Sequence, residues 1–195
     1  MPVNLSSSEG VTDLSIVLDL PPGHLTNLTL QALAPEIDPA SATIVAQSGT
    51  TALLHLAARP GQSILGFKQL ALLTFTAITN QQYAFVPLNA HPFSATKADG
   101  SLLTDRPAQS GRAVVVGQKA LLEATLEAGG NRGLILYGKP SSTFAIEYTT
   151  SPGSPRTWTR LSAGFSLTSL ATPVPLPDPA SAFVLYRAAQ LSAPP

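Results

Sequence analysis

The feature that most restricts this chain is a hydrophobic period of two. Leu14, Ile16, Leu18 and Leu20 alternate with Ser15, Val17 and Asp19, which puts the aliphatic groups on one face of an extended strand. The period returns between Gln69 and Ile78, where Leu73, Phe75 and Ala77 share one face and Thr74 and Thr76 the other. Shorter strands are expected at 25–31, 42–46, 53–57, 83–88 and 112–116. Turn signals divide them: Pro21-Pro22-Gly23, Ser48-Gly49, Arg59-Pro60-Gly61 and Asp99-Gly100. Proline cannot donate to a ladder, and an Asp-Gly pair tolerates the positive φ of a tight hairpin.

After Gly117 the pattern changes. Residues 119–127 have helical propensity, but a strand leading into a second sandwich fits the neighbours better. Beyond Gly129-Gly130 come expected strands at 133–137, 143–150, 157–161, 165–170 and 182–188. Pro152, Pro155 and the stretch from Pro173 to Pro179 stand between them. The expectation is all-β: two β-sandwich domains in tandem, at 1–117 and 118–195. Trp158, Phe144, Ile146, Phe183 and Tyr186 are the large groups available to fill the second core.

Composition excludes several function classes. Only 11% of the 195 residues are charged and the formal net charge is zero, whereas nucleic-acid binding draws on clustered Lys and Arg. The chain contains no Cys, so disulfides, thiolate chemistry and Cys-ligated zinc are ruled out. With 44% hydrophobic residues, disorder is a poor reading. No apolar run is long enough for a membrane-spanning helix. The first twenty residues lack the basic start and apolar stretch of a signal peptide. Low charge with abundant Thr and Ser nevertheless points to a secreted or cell-surface protein.

The residues offer little chemistry. His24, His55 and His91 lack metal-ligand spacing to one another or to a carboxylate, and read as structural or surface groups. Glu123 and Glu127 suit a solvated face better than a glycosidase pair, and Asp19 suits a turn-stabilising hydrogen bond. Lys97-Ala98-Asp99-Gly100 lacks the EF-hand ligand pattern. A single calcium ion on Asp99 and backbone carbonyls is the alternative left open there, so no cofactor is expected from a motif. No G-x-S-x-G elbow, P-loop or G-x-G-x-x-G is present. The reading is non-enzymatic.

For binding, the residues that matter face outward. If Leu28 and Leu30 point inward, Asn27, Thr29 and Gln31 point out; if Phe75 points inward, Thr74 and Thr76 point out.

The first segment, about residues 1–117, resembles the cohesin domains of bacterial extracellular scaffolds. Gly10-Val11, LSIVLDLPPGHL at 14–25, LALLTFTAI at 70–78, ADGSLL at 98–103 and GRAVVV at 111–116 carry the resemblance. It implies a nine-stranded jelly roll used for attachment to a protein partner, a dockerin or another surface protein. In that pattern the strands of Asn27, Thr29, Gln31, Thr74 and Thr76 neighbour each other on the docking sheet. No dockerin-like duplicated Asp/Asn loop occurs, so the chain would be the receptor half. LILYGKPSSTFAIEYTTS at 134–151, Trp158 and FVLYRA at 183–188 resemble a small immunoglobulin- or fibronectin-like C-terminal module of secreted bacterial proteins. Two alternatives accompany scaffolding. One is a carbohydrate-binding module acting on polysaccharide, tested at Tyr83 or Tyr137. The other is a stalk or filament subunit, with PVNLSSSEG near the N-terminus as a donated strand.

Overall fold

The computed structural model describes residues 1–48, 50–78, 84–104, 107–126, 132–151, 153, 156–161, 164–176 and 184–192. Among these, every regular element is a strand and none is a helix. Two compact units form. The first comprises the described residues up to Val114 except Ala84, and the second begins at Val115.

One strand organises the first unit. β1 runs from Pro2 to Asp19, beginning well before the alternation at Leu14 makes it visible. It changes partners midway. Its first half pairs with β5 (Ile64–Ala77), from Pro2↔Leu72 to Ser7↔Gly66. Its second half pairs with β4 (Thr51–Ala57), from Asp13↔Ala57 to Asp19↔Thr51. An irregularity between Ser7 and Val11 separates the two, and a bulge of this kind bends a strand and increases its twist. Gly10 sits in it, where a Cβ would lie 2.7 Å from Ser63 Oγ.

Around this spine, β2 (Leu25–Gln31) lies outside β5, and β3 (Thr43–Ser48) lies outside β4. On the opposite edge of β1, β7 (Ser94–Lys97) pairs from Val11 to Ser15, and β6 (Ala84–Ala90) pairs at Leu18 and Asp19. β8 (Gly111–Val115) pairs with β6. Antiparallel neighbours and alternate burial give one wrapped, sandwich-like sheet around Val11, Leu14, Ile37, Leu54, Leu56, Ile64, Leu70 and Leu73, all fully buried. The Asp99-Gly100 turn forms as expected: Gly100 has φ 83° and its N–H donates to Lys97 O at 3.0 Å.

In the second unit two sheets face one another. β9 (Leu121–Leu126), β10 (Arg132–Tyr137) and β14 (Ala171–Val174) form one. The other contains β11 (Thr143–Thr149), β12 (Thr159–Arg160), β13 (Phe165–Ser166) and β15 (Leu185–Ser192). Leu134, Leu136, Phe144, Ile146, Leu167 and Val174 make the core. Residues 121–126 are strand, not helix. Pro173, expected between strands, lies within β14, an edge strand where its missing donor costs no ladder bond.

One core expectation needs correction. Phe144 and Ile146 are buried and Tyr186 packs against them, but Trp158 is only half-buried and stacks under Arg187, whose guanidinium lies 4.2 Å from the ring centroid. A guanidinium-covered indole satisfies its apolar area without entering the core. Phe183 lies outside the described residues.

Candidate functional site

The face expected to dock a partner is assembled by β2 and β5. Directly opposed residues of an antiparallel pair share a face. The register Thr26↔Thr76, Thr29↔Thr74 and Gln31↔Leu72 therefore puts these six side chains on one side. Thr29 Oγ1 and Thr74 Oγ1 are hydrogen-bonded at 2.6 Å. The simple alternation fails at one point, because the register shifts between Thr26 and Thr29. Asn27 occupies that shift with φ 53°, a conformation asparagine tolerates better than most residues. Asn27 is exposed, but Thr26, which the sequence pattern passes over, takes its place in the row.

The face continues across β5 onto β1. Gln69 opposes Asn4 and Phe67 opposes Ser6. None of the side chains in this three-strand row carries a charge. Phe67 is 75% exposed, an aromatic group held out from a polar sheet.

Beside this face lies a cavity of about 510 Å³. Its rim is formed by Pro2–Ser6 of β1 and by residues 107–111, and Leu14, Ile16, Leu54, Leu73, Leu88 and Phe93 lie deeper. Among the described residues no charged side chain lines it.

The titratable groups are spent on pairs that sequence spacing does not reveal. His55 Nε2 lies 2.8 Å from Asp13 Oδ2, and its Nδ1 lies 3.1 Å from the carbonyl oxygen of Ser41. Ser, His and Asp meet here, yet no nucleophile is activated. The Ser41 hydroxyl instead donates to Asp38 O and accepts from Ala57 N–H, and only its carbonyl meets the ring. His91 Nε2 pairs with Asp19 Oδ1 at 2.8 Å, a partner the sequence reading of Asp19 does not foresee. His24 Nδ1 is buried without a hydrogen-bond partner among the described residues. Lys68 pairs with Glu36, and this hydrogen bond holds the Glu36 carboxyl below its ordinary pKa.

At the candidate calcium turn, Asp99 Oδ1 accepts from the Ser101 hydroxyl at 2.6 Å and from Ser101 N–H at 2.9 Å. The Ser101 hydroxyl bond, then its backbone bond, lowers the Asp99 pKa. Lys97, hydrogen-bonded to Glu9, is raised. Among the described residues no three His, Asp or Glu side chains gather to hold a metal ion.

In the second unit, Tyr137 donates to Glu123 Oε2 at 2.7 Å across β9 and β10. On the far side of β11, Glu147 meets Arg187 at 2.6 Å and Arg160 at 4.0 Å. Arg187 joins this acid to Trp158. Tyr83 and Glu127 lie outside the described residues. No helix among the described residues is long and apolar enough to cross a membrane.

No protein-family model matches the sequence, and no curated protein or solved structure shows significant similarity to it.

Proposed function

We propose that the chain is a non-catalytic attachment module of a secreted or surface protein. Its first unit is a cohesin-like jelly roll that docks a protein partner. Its second is a small immunoglobulin- or fibronectin-like sandwich that acts as spacer. The observation that carries this reading is the charge-free row of Thr26, Thr29, Gln31, Thr74 and Thr76, extended by Gln69, Asn4 and the exposed Phe67. Interface centres are depleted in charge and enriched in aromatic side chains, and uncharged hydroxyl and amide groups lose less on desolvation than ions do.

Arginine at Thr29 and at Thr76 tests it. The purified protein is presented to the secreted proteins of its source. A partner retained at micromolar affinity by the unmodified chain and lost by the double variant supports the reading, given unchanged thermal unfolding. Retention by both, or by neither, overturns it. Of the rings a carbohydrate role would use, Trp158 lies beneath Arg187 and Tyr137 is hydrogen-bonded to Glu123, while Phe67 is exposed and Tyr83 lies outside the described residues.

A further inference from the structure

The first half of β1 has one occupied edge. Met1 N donates to Leu73 O and Leu73 N donates to Met1 O, both at 2.8 Å, so the main-chain groups of Met1 point toward β5. Strand alternation then turns those of Asn4 and Ser6 the other way. Gly10 continues the series, its carbonyl accepting from Ala98 N–H at 3.2 Å on that second edge. From Pro2 to Glu9 no strand among the described residues pairs there. Across the cavity, residues 107–110 lead into β8, which likewise pairs with a strand only on its β6 side among the described residues. Two strand edges, incomplete among the described residues, thus border one trough whose described lining is mostly apolar and has no charged side chain.

The geometry points to a receptor groove for an extended peptide from another chain, taken up as an added strand beside β1. Pro2–Ser6 offers a length of about 17 Å at the usual rise per residue. Asn4 and Ser6 supply donors and acceptors to the incoming backbone. The deeper Leu14, Ile16, Leu54, Leu73, Leu88 and Phe93 receive alternate side chains, which must be apolar. The described lining has no charged side chain, and the Met1 ammonium there is already hydrogen-bonded to Leu73 O; this favours an uncharged segment, since a buried, unpaired ion is costly. Main-chain pairing gives affinity and the alternate pockets give selectivity. The groove shares Asn4, Ser6 and Phe67 with the β1 end of the docking row, but it stands on the open edge and the cavity and not on that row's role. The N-terminal segment PVNLSSSEG, the candidate donated strand, pairs with β5 of its own chain and so forms the wall of the groove.

The test uses the full chain and a fluorescein-labelled peptide, Thr-Val-Thr-Val-Thr-Val-Thr, followed by anisotropy. Saturable binding is expected, weakened about tenfold when alternate peptide nitrogens are methylated, because the side chains remain but the donors are lost. Asn4→Pro removes a donor from the open edge alone and is expected to weaken binding by about the same factor. Ala108→Trp, outside every ladder, is expected to block the groove while thermal unfolding is unchanged. Equal binding of the methylated peptide would mean an apolar pocket indifferent to backbone, and would overturn the proposal. So would no binding at millimolar peptide, or binding untouched by Ala108→Trp.

Discussion

The two units close their cores in different ways. In the first, a single long strand turns through a bulge and serves both halves of the sheet, and its fully buried groups are aliphatic. In the second, two short sheets pack on a central aromatic, Phe144, with Gly138 and Leu167 against its ring. The first arrangement leaves a cavity of about 510 Å³ and an edge with no strand beside it among the described residues. The second brings backbone and side chain to contact distance. β5 and then β4 accompany β1 along one edge, whereas on the other edge β7 and β6 reach only its second half among the described residues.

Truncations measure this contrast most strongly. Phe144→Ala is expected to destabilise the second unit by about 3–5 kcal/mol, because a ring enclosed on all sides leaves a large void. Leu54→Ala in the first unit is expected near the low end of about 2–5 kcal/mol, since Leu54 already borders open space. Urea unfolding followed by circular dichroism, with Trp158 fluorescence reading the second unit, separates them. Equal costs would break the comparison.

Two glycines sharpen it at smaller scale. At Gly138 a Cβ would lie 2.6 Å from Leu167 Cδ1 and 3.0 Å from the Phe144 ring. Gly138→Ala is therefore expected to cost about 1–3 kcal/mol by overpacking. Gly66 meets nothing within 4 Å but has φ 79°, so Gly66→Ala is expected to cost about 1–2 kcal/mol through backbone strain alone. Adding Leu167→Ala, which removes the 2.6 Å contact, should relieve most of the first cost and leave the second, which a double-mutant cycle reads directly.

The smallest effect concerns charge. Glu36 is held below its ordinary value of 4.5, first by the side-chain hydrogen bond from Lys68 and then by a backbone bond. A carboxyl whose folded pKa is depressed adds stability above its unfolded pKa, and that stability is lost as pH falls through the folded value. The unmodified chain and Glu36→Gln should thus differ slightly in urea midpoint at neutral pH and converge once the pH falls below the folded value. A difference that persists in acid would assign the effect to packing.

Much of the strand pattern was legible because burial on one side of a sheet imposes a period of two. Leu14 to Leu20, Leu53 to Ala57 and Leu73 to Ala77 show it plainly. The start of β1 was not legible: Ser6, Ser7 and Ser8 carry no alternation, and they are strand because β5 lies beside them up to Ser7. The docking row was readable at Thr74 and Thr76, whereas the register shift at Asn27 brought in Thr26 instead. Nor does local spacing reveal that His55 meets Asp13, 42 positions away in the chain, or that His91 meets the still more distant Asp19.

The sequence by itself determined that this chain is all-β, cysteine-free and nearly devoid of local catalytic pattern, since composition and periodicity act within a few residues. Tertiary structure alone decided which edges stay open, which charges meet and where Trp158 rests. Those depend on contacts between segments far apart in the chain, and a single bulge is enough to redirect them.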